Sequence, residues 1–144
     1  MTELNVMTEL NILMRFLHIV SVVTLLGGFI AWRLAMIPAT QPLADDMRTK
    51  LGNAVAAAWR PVFFTAVGGI LISGIYNYMN KTGMPPAWHA VIGVKFLLVL
   101  HVFAVGFLVT GPNNAKRSRQ LTGILISGVV IVALSAVLRS LSAQ

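Results

Sequence analysis

Four apolar runs, each about as long as a bilayer is thick, leave this chain few folds to choose from. The first covers residues 13–36 and carries no charge from Ile19 to Trp32. In hydrocarbon every backbone N–H and C=O must find a partner within the chain, so a run of this kind is a helix. A span needs roughly 20 apolar residues. The runs at about 12–37, 59–79, 88–110 and 120–141 reach that length. Short links make consecutive helices neighbours, which predicts an all-α fold, an integral membrane four-helix bundle forming one domain over residues 1–144. Proline punctuates it. Pro38 is expected to end the first helix, Pro61 to sit in the first turn of the second, and Pro85-Pro86 to open the third. Trp32, Trp59 and Trp88 lie near predicted ends, where an aromatic belt would sit.

The charges give the orientation. Only 10% of the 144 residues are charged and 57% are hydrophobic, whereas soluble domains carry about 25% charge. A net charge of +7 could suggest nucleic acid. That reading is rejected, because the basic residues cluster between apolar runs, as the positive-inside rule requires. Arg33, Arg48, Lys50 and Arg60 flank or occupy the first link, and Lys116, Arg117 and Arg119 the third. The opposite side has Arg15, Lys81 and Arg139. The expectation is a multi-pass protein of a bacterial-type inner membrane, with both basic loops cytoplasmic and both termini outside. The first run lacks a small-residue cleavage site and is expected to be retained as a helix. Residues 1–5 and 7–11 repeat Met-Thr-Glu-Leu-Asn, and this segment is expected to be partly ordered at best.

Small residues mark where helices approach closely. Gly69-Ile70-Leu71-Ile72-Ser73-Gly74 in the second run recurs as Gly123-Ile124-Leu125-Ile126-Ser127-Gly128 in the fourth. Glycine and serine at four-residue spacing let backbones meet in lipid. Leu17-His18-Ile19-Val20 likewise resembles Leu100-His101-Val102-Phe103, a weak sign of a duplicated helix pair.

Ionisable residues within spans are costly and therefore candidates for function. They are Arg15, His18, His89, Lys95 and His101. At 1.5 Å per residue, His18 lies about 12 Å above the midplane, close in depth to His89 and Lys95 and roughly 15 Å from His101. The three basic residues of the third run are six apart, so they point about 120° from one another and at most two face the interior. Arg15 and His18, three apart, share a face.

Two chemistries suit this set. A b-type haem is held by side chains alone, with histidine as the usual ligand. His18 would be the axial ligand, Arg15 a propionate partner, and His101 or His89 a second ligand. Lys95 would pair with a propionate or move protons. The second chemistry is copper, since thioether and imidazole ligands suit Cu(I). Met14 and His18 share a face, with Met79, Met84 and His89 on the same side. The bland alternative is that His18 hydrogen-bonds a neighbouring helix and the methionines fill gaps. The absence of cysteine excludes disulfides, thiolate sites and iron–sulfur clusters. The four acids, Glu3, Glu9, Asp45 and Asp46, all fall outside the spans, which argues against a carboxylate proton relay.

The segment Leu17-His18-Ile19-Val20-Ser21-Val22-Val23-Thr24, followed by Gly27 or Gly28 and Arg33-Leu34, resembles the first helix of HemJ-type protoporphyrinogen oxidases. Leu25 stands where that pattern has tryptophan. Val94-Lys95-Phe96-Leu97-Leu98-Val99-Leu100 is similar to the family's Val-Lys-Leu segment. Wider relatives include the CopD-type copper-resistance membrane domain. The resemblance implies haem b with His18 as ligand and Lys95 as a functional partner, possessing a redox role in electron transfer or oxidation of a small substrate. A quinone, an oxygen species or a porphyrin would be the partner. A CopD-like copper protein and a non-catalytic subunit of a larger complex are the alternatives, and self-association into a homo-oligomer stays open.

Overall fold

The computed structural model describes residues 3–142. The chain is all-α, with four helices each long and apolar enough to cross a membrane. We label them α1 (Glu3–Ala31), α2 (Asp45–Met79), α3 (Pro86–Val109) and α4 (Arg117–Leu141). Strands are absent among the described residues.

Three boundaries differ from the sequence reading. α1 starts at Glu3, so most of the repeated N-terminal segment is helical rather than partly ordered. No proline or glycine interrupts residues 3–13, and leucine and methionine favour helix there. Residues 1–2 lie outside the described chain. α1 then continues through a π-helical turn, Trp32–Met36, and a closing turn, Ile37–Ala39. The wide turn falls where Pro38 has no N–H to give the carbonyl of Leu34; the Ile37 N–H reaches Trp32 O instead. The largest difference is in α2. Pro61 does not start this helix but sits inside it, and the helix begins at Asp45. Asp45 and Asp46 occupy its first turn, where acidic side chains suit the positive end of the helix dipole. Asp45 pairs with Arg48 there. At 1.5 Å per residue the helix is about 52 Å long against a hydrocarbon core of about 30 Å, so its first turns extend beyond the bilayer.

The helices pair as two hairpins. α1 packs mainly on α2 and α3 mainly on α4, with thinner contact between the pairs. Glycine sets the close approaches. A Cβ on Gly69 would overlap Ser21 Oγ, and one on Gly28 would overlap the Trp59 ring. One on Gly128 would stand 2.6 Å from Leu26, and one on Gly106 2.5 Å from Phe63. Both copies of the repeated glycine–serine segment thus pack on α1.

The dense core occupies the half of the bundle nearest the two basic links. Leu25, Phe29, Phe63, Ile70, Val109, Leu121 and Ile124 form it, with Phe29 fully buried. The tryptophans do not form the expected belt. Trp32 and Trp88 are 5% and 4% exposed, and Trp59 fits against Gly28. Trp32 packs under Arg117 and Trp88 against Tyr78, so these rings face the protein.

Arg117 ties this end together. It donates to Val109 O at 3.1 Å, Gly111 O at 2.8 Å and Asn53 Oδ1 at 3.3 Å, and its guanidinium lies 5.6 Å from the centre of the Trp32 ring. Asn53 also accepts from the Asn113 N–H at 2.9 Å. Arg117→Ala is expected to cost about 2 kcal/mol in reversible detergent unfolding, the range for hydrogen bonds to a charged group. Arg117→Lys should recover only part of it, because an ammonium cannot reproduce the planar fork.

Candidate functional site

The other half of the bundle is open. A cavity of about 620 Å³ lies there, lined from all four helices. Its volume is in the range of roughly 300–1,000 Å³ that holds small-molecule ligands and cofactors. It forms because the two hairpins meet loosely and no core residue of the Phe29 cluster reaches this end beyond Ile70.

His18 is on its wall, half-buried. Its Nδ1 is 3.0 Å from Ser73 Oγ on α2. The direction of that bond follows from the serine. Ser73 is fully buried and its Oγ–H donates to Gly69 O at 2.5 Å. A hydroxyl has one proton, so with that proton on Gly69 O the serine is an acceptor for an Nδ1–H of His18. A neutral ring donating this way would carry its lone pair on Nε2. A metal-ligating histidine is commonly held in this way by its other nitrogen. Gly74 lies beside the ring: a Cβ there would be in ordinary van der Waals contact, 3.7 Å from His18 Cε1.

Around the histidine the charge has one sign. Arg15 from α1, Lys81 from the α2–α3 link, Lys95 from α3 and Arg139 from α4 all line the cavity, and among the described residues no carboxylate does. Neutral polar groups add to it. Tyr76 OH donates to Asn11 Oδ1 at 3.0 Å across the α1–α2 seam. Tyr78 stacks on Trp88 at 6.0 Å and meets Phe96 edge-on at 5.6 Å, closing the α2–α3 side. The arrangement suits a ligand with anionic groups and a large apolar body.

Of the sequence candidates, His18, Arg15 and Lys95 come together on this wall. His89 and His101 do not. His89 is exposed, with its ring edge-on to Trp88 at 5.2 Å. His101 is exposed and lies near α4, where a Cβ on Gly123 would be 4.0 Å from its Nε2. That separation follows from the 120° phase between these positions and Lys95. Met14, Met79 and Met84 are also outside the cavity wall. Among the described residues no three His, Cys, Asp or Glu side chains gather as a metal cluster.

Three residues at or behind the wall escaped the sequence reading. Ser73 counted only as a small packing residue, and Arg139 only as a topology charge. The four-residue step from Ser135 to Arg139 places both on one face of α4, a signal that was available. Asn11 lay in the segment taken as poorly ordered. Comparison with protein-family models, curated proteins and solved structures gives no match.

Proposed function

We propose that this chain is an integral membrane b-type haem protein with a redox role, resembling the HemJ-type oxidases. The observation that carries the reading is the 3.0 Å contact between His18 Nδ1 and the buried Ser73 hydroxyl, with His18 on the wall of a cavity whose described charges are all basic. A neutral ring donating through Nδ1 would have Nε2 free for a metal. An imidazole ligand and basic side chains near the propionates suit a b-type haem, which is held without covalent attachment.

Each residue has its work in this reading. His18 binds the iron. Ser73 holds the ring in one tautomer and one orientation. Arg15, one turn from His18, neutralises a propionate, with Arg139 as its counterpart on α4. Lys95 supplies a proton-bearing group beside the site. When bound, the haem would supply one-electron redox chemistry. Among the described residues His18 is the imidazole on the cavity wall and would be the residue that holds it. The copper reading gains no support, because Met14 and His89 do not join His18 at the cavity.

The basic links support an orientation with the core half at the cytoplasmic face of an inner membrane, by the positive-inside rule. In that orientation the cavity would open toward the outer face, with both termini outside. Reporter fusions in the α1–α2 and α3–α4 links check this; an outside signal from either overturns it.

The first test is an absorption spectrum of detergent-purified protein, oxidised and dithionite-reduced. A Soret band that sharpens on reduction, with α and β bands, supports the reading, and its absence after expression with ample haem overturns it. Ser73→Ala refines it. Loss of such a supporting hydrogen bond costs about 10- to 100-fold in affinity. The variant is expected to bind haem that weakly, with a raised reduction potential, because the imidazole becomes a poorer electron donor. Unchanged affinity and potential would leave Ser73 without this role.

A further inference from the structure

A second, smaller cavity adjoins the first. It holds about 240 Å³ and shares His18, Ile70, Lys95, Val99 and Ser135 with it. The remainder of its wall is apolar, and no further charge lines it. Two wall residues, Val23 on α1 and Val132 on α4, are 64% and 55% exposed, so the rim reaches the lipid-facing surface. A ligand would come from the bilayer rather than from water.

The polar groups define what that ligand carries. Ser135 Oγ–H donates to Ile131 O at 2.7 Å, which leaves only its acceptor lone pairs. Lys95 has three N–H donors and no acceptor. It has no hydrogen-bond or ion-pair partner among the described residues. An unpaired ammonium at membrane depth is costly unless something accepts from it. A lipid acyl chain would fill the space and offer Lys95 no acceptor. A neutral ring with a carbonyl would satisfy both the apolar wall and the amine. Size agrees, since a cavity of roughly 150 Å³ already holds a benzene.

We propose that this cavity binds the ring of a lipid-soluble quinone, with Lys95 Nζ donating to a ring carbonyl and the tail leaving between α1 and α4. Binding depends on the cavity and Lys95 alone. The quinone's role as redox partner rests on the haem reading.

The test is calorimetric titration of the full chain in phosphatidylcholine nanodiscs with a decyl-substituted benzoquinone. Decylbenzene, with the same tail and ring but no carbonyl, is the control. Saturable binding at one quinone per chain is expected, with decylbenzene about tenfold weaker, as loss of one charged hydrogen bond predicts. Lys95→Met should bring the quinone down to the decylbenzene level and leave decylbenzene unchanged. Val22→Phe, which fills the cavity from α1, should weaken both. Ile131→Phe fills it from α4 and serves if the first variant does not fold. Non-saturable partitioning, or equal quinone affinity in Lys95→Met, overturns the proposal. So does loss of the Soret band in both filling variants, which would make the small cavity part of the cofactor site. The spectrum of the same samples keeps the two readings apart. Quinone binding without a Soret band sinks only the haem reading, and a Soret band without saturable binding sinks only this one.

Discussion

His18→Ala protein, expressed with ample haem, is expected to purify folded and without a Soret band. The fold should survive because His18 is half-buried and its partner stays satisfied: Ser73 keeps its own bond to Gly69 O at 2.5 Å. What disappears is the lone pair that holds the iron. Loss of the sole protein ligand should reduce haem affinity by at least about a thousandfold, the ratio that about 4 kcal/mol gives. Added imidazole separates ligation from packing. If His18 is the ligand, imidazole can occupy the space left by the ring and restore a low-intensity Soret band. Arg15→Ala should behave differently, with haem retained more weakly and no rescue by imidazole, because the lost contact is to a propionate. A His18→Ala protein with full haem occupancy would remove the basis of the proposed function. A structural role for His18 predicts a colourless wild-type protein in the first place.

The architecture was legible for a simple reason. Length and apolarity alone decide that a run spans a membrane, and Pro86–Val109 and Arg117–Leu141 fall within a few residues of the predicted spans. The misreadings cluster at proline. Pro61 and Pro38 each have two readings, a helix end or an interruption the helix passes through. The second won at Pro61, because Ala54 to Ala58 before it favour helix and Asp45-Asp46 start one earlier. At Pro38 a π-turn absorbed the missing N–H. The site was half legible. His18 and Arg15 share a helix face, which periodicity reveals. Lys95 was separable from His89 and His101 by helical phase, but which of the three faced inward depended on the rotation of α3. No sequence period encodes that rotation. Ser73 was visible as a small residue, and its role as acceptor for His18 appears only once α1 and α2 are docked.

Gly68 and Gly69 offer a sharper test of that docking, because the same substitution at adjacent positions should have opposite signs. An alanine at Gly68 would place its Cβ where nothing lies within 4 Å. It should stabilise the protein by a few tenths to about 1 kcal/mol, by restricting the unfolded backbone and improving helix propensity. Gly69 shares those gains but faces α1. Its Cβ would overlap Ser21 Oγ, and even a rotated hydroxyl leaves Ser21 Cβ at 3.2 Å and Leu17 Cδ1 at 3.5 Å. Ser21 is 6% exposed and has no room to retreat. The helices must separate, at an overpacking cost of about 1–3 kcal/mol. Gly69→Ala should therefore unfold earlier in a detergent titration and Gly68→Ala later. The consequence reaches the site, because Gly69 O anchors the Ser73 hydroxyl that fixes His18. A shifted α2 lengthens the 3.0 Å contact between Ser73 and His18. In haem-loaded protein, Gly69→Ala should thus move the reduction potential in the same direction as Ser73→Ala, and Gly68→Ala should leave it unchanged. Equal stability for the two alanine variants would mean that α1 and α2 do not meet at Gly69. Reduced stability of Gly69→Ala with an unchanged potential would confine Gly69 to packing and uncouple the seam from the histidine.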